Sequence, residues 1–205
     1  MSLFPIFVKL QGRLVVVIGG GSIAEGKIAG LLAAGARVRV ISPAITPALA
    51  ERVGDRKIEW LPKVFELGDL FGAHLVIAAT SAPGVNEAAF REAEARGIFC
   101  NAVDDIEHCH FYYGSVVQRG DLQIAISTNG KSPALAQRLR QELEAQFGPE
   151  YEGWLEWLGA ARELLRAASS DPESNKKLLH QLASQPAFEL FLRETHPLAK
   201  QKGAA

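Results

Sequence analysis

Three short stretches of this chain carry residue types in an order that could do chemistry. The apolar run Leu14-Val15-Val16-Val17-Ile18 stops at Gly19-Gly20-Gly21, and a helix-like pattern starts at once with Ser22-Ile23-Ala24. Gly19-x-Gly21-x-x-Ala24 fits the dinucleotide-binding fingerprint in its Gly/Ala form. The first glycine makes the turn, the second admits a pyrophosphate, and the third small residue lets the helix meet the strand. The free N–H groups of the helix N-terminus would then face a phosphate. Three adjacent glycines alone could form a flexible loop, but the flanking strand and helix patterns favour the nucleotide.

The second stretch is Asp104-Asp105, just after an apolar run that ends at Val103. A carboxylate there could take a proton while hydride leaves for a cofactor. Asp104 could equally cap a following helix, with Glu107 three residues on closing a capping box. The third stretch, Ser127-Thr128-Asn129-Gly130-Lys131-Ser132-Pro133, sets small polar residues and one lysine before a helix start, which suits a carboxylate or phosphate. Lys131 is read as an anion contact, and Arg138 and Arg140 further along that helix read as solvated. His108-Cys109-His110 offers metal-ligand types, but neighbours on a helix do not share a face and no second cluster exists. No metal site is expected. His74, Trp154 and Trp157 are read as structural.

The elements that must position these residues alternate. A helix over residues 22–34, a strand 37–41, a short helix opened by Thr46-Pro47, a strand 57–61, a buried apolar strand 74–79, a helix 85–96 and a strand 98–103 follow the first strand. This alternation predicts a Rossmann-like doubly wound parallel sheet, with its ligand beyond the carboxyl ends of the strands. After Asp105 the pattern changes to two short strands around Arg119-Gly120-Asp121, then a helix opened by Ser132-Pro133 and ended by Gly148-Pro149. Residues 151–168 read as an amphipathic helix, Asp171-Pro172 opens another, and residues 200–205 are expected to fray. The expected domains are 1–112 for the nucleotide, 113–148 as a small α+β segment, and 149–205 as a helical domain.

Composition sets outer limits. With 205 residues, 48% hydrophobic and a net charge of −1, the chain can bury a core but has no global field for nucleic acid or an anionic membrane. An acidic ligand must therefore meet local basic groups. No apolar stretch is long enough to span a bilayer, and two cysteines without a secretion signal suit a reducing, cytoplasmic setting. The acidic residue usual about 20 positions past the fingerprint is missing, because the second strand ends Ile41-Ser42-Pro43.

With these pieces placed, the sequence resembles the precorrin-2 dehydrogenase family, the dehydrogenase and ferrochelatase part of siroheme synthase. The resemblance runs from Leu3-Phe4-Pro5-Ile6-Phe7 to about Phe147. It rests on Val17-Ile18-Gly19-Gly20-Gly21-Ser22-Ile23-Ala24, on Asn101-Ala102-Val103-Asp104-Asp105, and on Ile124-Ala125-Ile126-Ser127-Thr128-Asn129-Gly130-Lys131-Ser132-Pro133-Ala134-Leu135-Ala136. It implies NAD-dependent oxidation of precorrin-2 to sirohydrochlorin, and in bifunctional members insertion of ferrous iron to give siroheme. It also implies a homodimer whose middle segment intertwines with its partner. The family's NAD contacts fall on Ser22-Ile23 and Pro43-Ala44, where backbone groups can hold the ribose without an acid, and its essential aspartate falls on Asp104. The expected cofactor set is Gly19, Gly21, Ser22, Ile23, Ser42, Pro43, Ala44, Thr80, Asn101 and Val103. The acidic substrate is assigned to Ser127, Thr128, Asn129, Gly130, Lys131, Ser132, Arg119 and Arg138. Gly114 and His110 depart from the family pattern, which commonly has proline and a non-histidine residue there. No methyltransferase domain follows residue 205, so the chain is not expected to make precorrin-2 itself. A non-catalytic NAD(H)-sensing module with a helical effector tail is the alternative. A third reading is a metal-delivering protein that uses His108 and His110.

Overall fold

The computed structural model describes residues 3–168 and 171–195 and divides into two compact units that meet in sequence between Tyr112 and Tyr113. The expectation for residues 200–205 lies outside the described residues. In the first unit β1 (Leu14–Ile18), α1 (Ser22–Ala33), β2 (Arg37–Ile41), α2 (Pro47–Gly54), β3 (Ile58–Leu61), β4 (Leu75–Ala78), α3 (Pro83–Ala95) and β5 (Phe99–Ala102) follow in order. The five strands form one parallel sheet in the order β3-β2-β1-β4-β5. Connections from β1 run outward to β2 and β3, then return past β1 to β4 and β5. The crevice of such a sheet opens where that reversal occurs, between the carboxyl ends of β1 and β4.

The alternation within β1 explains why the sheet is covered on both faces. Val15 and Val17 pack with Ala24, Ile28 and Leu49 of α1 and α2 on one face, whereas Val16 and Ile18 pack with Ala89 and Ala93 of α3 on the other. Each such fully buried valine or isoleucine stabilises the fold by roughly 1.5–3 kcal/mol relative to exposure. The crossover from β3 to β4 has no helix of its own. It is pinned by the fully buried Leu70 and by the buried Glu92 carboxylate, which accepts from Gly68 N–H at 3.0 Å and from Arg96 Nε at 2.8 Å.

The second unit begins with the antiparallel pair β6 (Ser115–Arg119) and β7 (Leu122–Ile126), turning at Gly120 with φ +53°. The helices α4 (Pro133–Gln146), α5 (Glu150–Ala168), α6 (Pro172–Leu182) and α7 (Gln185–Thr195) follow. Each proline-led start is capped as its sequence predicts: Ser132 Oγ accepts from Leu135 N–H at 3.2 Å, and Asp171 accepts from Glu173 N–H at 3.1 Å. Phe188 of α7 is buried against Tyr151 and Trp154 of α5, with ring centroids 4.6 Å from each, so Trp154 is a packing residue as read.

Candidate active site

The three glycines after β1 do different work. Gly19 leaves the strand at φ +114°, and a Cβ there would stand 2.4 Å from the Ala79 carbonyl oxygen beyond β4. Only glycine lets β1 and β4 end side by side. At Gly20 a Cβ would stand 2.1 Å from the Ala44 carbonyl oxygen, so this glycine, which lies between the fingerprint positions, is demanded by the chain itself. A Cβ at Gly21 would meet nothing within 4 Å, and its φ of −85° suits any residue. The fold does not ask for glycine there. The open space lies at the uncapped N-terminus of α1, where a diphosphate can approach the N–H groups of the first turn. Ala24 is fully buried where helix meets strand, and Ile23 stays half exposed at the mouth of the turn.

The end of β2 is tied to this turn through contacts that motif reading did not register, made by the expected cap Thr46 and by Ser42. Thr46 donates its N–H to the Gly20 carbonyl at 3.0 Å and its hydroxyl to the Glu25 carboxylate at 2.6 Å, while that hydroxyl accepts from Leu49 N–H at 3.3 Å. One side chain thus caps α2 and fastens α1 to it. Ser42 is buried, donating its hydroxyl to the Ala44 carbonyl at 2.7 Å and accepting the Trp60 indole N–H on its own carbonyl at 2.9 Å. Its polar groups shape the turn, and Pro43 and Ala44 are left exposed to meet a ligand.

Beyond β4 the loop at Thr80 is held by Asn86, a buried residue of α3. Its amide nitrogen donates to the Thr80 carbonyl at 3.1 Å, and its oxygen accepts from the Thr80 hydroxyl at 2.8 Å and N–H at 3.3 Å. An asparagine on the buried side of a helix, six residues after a polar strand end, is the signal that sequence reading could have used.

β5 delivers the carboxylates. Asn101 is buried and donates to the Phe111 carbonyl at 2.8 Å and to Cys109 Sγ at 3.3 Å, so its amide closes the loop that follows. Val103 N–H donates to the Ala78 carbonyl at 2.8 Å. Asp104 then turns at φ +61° and is exposed. It does not cap a helix. Residues 106–108 form a single 3-10 turn, Asp105 stands at its start without a side-chain cap bond, and the capping-box reading is corrected accordingly. The chain returns at once to bridge Cys109 to Asn101 in antiparallel fashion, which leaves no room for a longer helix. Lys27 on α1, one turn beyond Ile23, was also missed. Burial pulls its ammonium below the ordinary lysine range, and the nearby Asp104 carboxylate opposes that shift.

The triplet after Asp105 is spoken for. His108 Nδ1 lies 2.6 Å from Asp105 Oδ2, Cys109 Sγ donates to the Ala102 and Asp105 carbonyls at 3.1 Å each, and His110 Nδ1 accepts from Cys100 N–H at 3.1 Å. The bond from His108 holds the Asp105 carboxyl below its usual range. No group of three or more metal-ligand residues assembles among the described residues. His74 Nε2 meets Arg13 Nη1 at 3.0 Å, a structural role.

In the second unit the loop 127–132 turns through Asn129 at φ +53° and Gly130 at φ +75°. It is held by Thr128 Oγ1, which donates to the Ser132 carbonyl at 3.1 Å and accepts Ser132 N–H at 3.2 Å, and by Ser127 Oγ, which accepts Asn129 N–H at 3.2 Å. Lys131 is exposed at its tip. The two arginines assigned to substrate have other partners. Arg119 donates to the Phe147 carbonyl at 2.9 Å and the Glu144 carbonyl at 3.1 Å, closing the end of α4, and Arg138 pairs with Glu142 at 3.4 Å.

Comparison with known proteins agrees with this geometry. The family described as "Putative NAD(P)-binding" matches residues 6–115, and the central domain of sirohaem biosynthesis proteins matches residues 119–146. Siroheme synthase 1 of Aeromonas salmonicida is 38% identical over 90% of the chain, and siroheme synthase of Methylobacillus flagellatus is 40% identical over 86%. The chain spans 39% and 38% of the length of those two relatives. A solved precorrin-2 dehydrogenase, SirC, superposes with a TM-score of 0.77 over 94% of this chain and 98% of its own, at 24% identity, a likeness of fold. With a glycine turn open to a diphosphate and a family match over more than half its length, the chain belongs to this NAD(P)-binding family, joined here to the central domain of sirohaem biosynthesis proteins.

Proposed function

We propose that this chain oxidises precorrin-2 to sirohydrochlorin, with NAD as hydride acceptor and Asp104 as the catalytic carboxylate. The observation that carries this reading is the exposed, left-handed Asp104 at the carboxyl end of β5, on the same sheet edge as a glycine turn with room for a diphosphate. The names of the similar siroheme synthases and of the precorrin-2 dehydrogenase SirC support the choice of substrate. Gly19, Gly21, Ser22 and Ile23 would hold the diphosphate side of NAD. Pro43 and Ala44 would offer backbone groups to a ribose, with Ser42 shaping their turn, and Thr80, Asn101 and Val103 would line the crevice between β1, β4 and β5. Bound there, NAD supplies a two-electron hydride acceptor. Asp104 accepts the proton that the ring loses.

The substrate's many carboxylates are assigned to Ser127, Thr128, Asn129, Gly130, Lys131 and Ser132. Arg119, which closes the far end of α4, and Arg138 on the same helix complete the proposed set. The reading includes a homodimer and a cytoplasmic setting. No described helix is long and apolar enough to cross a membrane. With ferrous iron as a second substrate, the same carboxylate would take the pyrrole protons.

Anaerobic incubation with precorrin-2 and NAD tests the proposal. It should yield the sirohydrochlorin spectrum with NADH, and a siroheme spectrum faster than the protein-free control once ferrous iron is added. Tight NAD binding without any turnover would instead support the non-catalytic sensing module.

A further inference from the structure

The His108–Asp105 pair is a charged arrangement that the fold builds and that the role of Asp104 does not require. Two acceptor atoms cannot sit 2.6 Å apart without a proton between them, so His108 Nδ1–H donates to Asp105 Oδ2. In the neutral ring this leaves the lone pair on Nε2. A carboxylate that fixes an imidazole in this tautomer is how folds orient a histidine base. The ring is fixed in a second direction by Phe90 of α3, edge-on at 5.1 Å and 68°. The His108 side chain keeps 25% of its surface exposed. Asp104, Asp105 and His108 lie within one tight turn beyond β5, on the carboxyl edge of the sheet.

We propose that His108 is a further proton acceptor for the reaction, oriented by Asp105 to draw off through Nε2 the proton that the substrate ring gives up. The inference rests on the reading of precorrin-2 oxidation above. One hydrogen leaves the ring with both bonding electrons, reducing NAD to NADH. One N–H bond breaks with its electrons kept by the ring, and its proton passes by way of the Asp104 carboxylate to the Nε2 lone pair and then to water. The substrate is oxidised by two electrons, and the transient imidazolium is stabilised by the ionised Asp105. An imidazole is the stronger base, and a base whose pKa lies near the working pH is the more effective one. The other ionisable groups on the segment of His108 are Asp104, Glu107, the Cys109 thiol, raised by burial, and His110, whose ring stacks at 4.6 Å on the same Phe90 that meets His108. Helix α3 meets it through Phe90, and α3's Glu87 and Arg91 are paired with each other.

The test compares wild type, His108→Gln and Asp105→Asn in anaerobic precorrin-2 oxidation over about pH 5 to 8, the range that separates carboxylate from imidazole titration. Wild-type kcat should fall on the acid side of that span. His108→Gln should lose about 10–100-fold in kcat at neutral pH, lose that acid limb, and keep the NAD KM. Asp105→Asn, which preserves shape, should give a smaller loss. Imidazole nitrogen NMR gives a readout independent of turnover: the Nδ1–H tautomer of His108 in wild type, released in Asp105→Asn. A His108→Gln protein with the wild-type rate and pH profile, or a wild-type His108 in the Nε2–H tautomer, overturns the inference and leaves precorrin-2 oxidation standing. Wild-type protein that cannot oxidise precorrin-2 at all overturns both.

Discussion

At the scale of single residues, the three glycines after β1 separate fold from function. Gly20→Ala puts a Cβ 2.1 Å from a main-chain oxygen, so backbone must move, and a loss of about 1–3 kcal/mol in chemical denaturation is expected. Gly21→Ala fills open space and should leave stability within about 0.5 kcal/mol while weakening NAD binding tenfold or more by calorimetry. Equal effects of the two substitutions on stability would contradict the division. Motif spacing identified Gly19 and Gly21, but the need for Gly20 comes from Ala44, a contact 24 residues away that no local pattern reveals. Asp104 offers a second contrast. It holds φ +61°, a conformation that glycine adopts at lower cost, so Asp104→Gly should gain up to about 1 kcal/mol in stability while losing turnover. A less stable and still active variant would remove Asp104 from its role.

Elements hold the site through polar bonds that sequence periodicity does not register. The strands and helices of the first unit lie within a residue or two of their sequence expectation, because apolar period and glycine or proline punctuation are local signals. The capping box at Asp104 failed because the chain pairs with itself across the loop, a contact that helical spacing does not register: the return of Cys109 to Asn101 ends the turn after residue 108. Asn86 is the most exacting of the missed residues. Asn86→Leu takes away the partner of the Thr80 N–H and carbonyl, while the Thr80 hydroxyl keeps the Ala82 carbonyl at 3.1 Å, and a cost of about 1–3 kcal/mol with weaker NAD binding is expected. The turn after β5 also carries a pH dependence. Because the His108 bond depresses Asp105 in the folded chain, its contribution to stability is present above the ordinary carboxylate range. It is lost as pH falls through the depressed folded value, so the drop in urea midpoint below about pH 4 should be shallower in Asp105→Asn.

For the whole molecule, the division after Tyr112 matches the end of the NAD(P)-binding family match at residue 115. A fragment of residues 1–115 is therefore expected to fold and to bind NAD by itself, and an unfolded fragment by circular dichroism would contradict the independence of the first unit. The second unit was less legible: the use of Arg119 to close α4 depends on carbonyls 25 and 28 residues further on. The central claim is that one chain joins an NAD site to a catalytic carboxylate at Asp104. Its most direct test is the initial rate of NADH formation from precorrin-2, measured without oxygen at saturating NAD for wild type and Asp104→Ala, with NAD affinity determined for both. The expected result is steady NADH formation by wild type, at least a 100-fold lower rate in the variant, and unchanged NAD affinity, a loss on the scale of a removed acid–base group. Equal rates in the two proteins would contradict it.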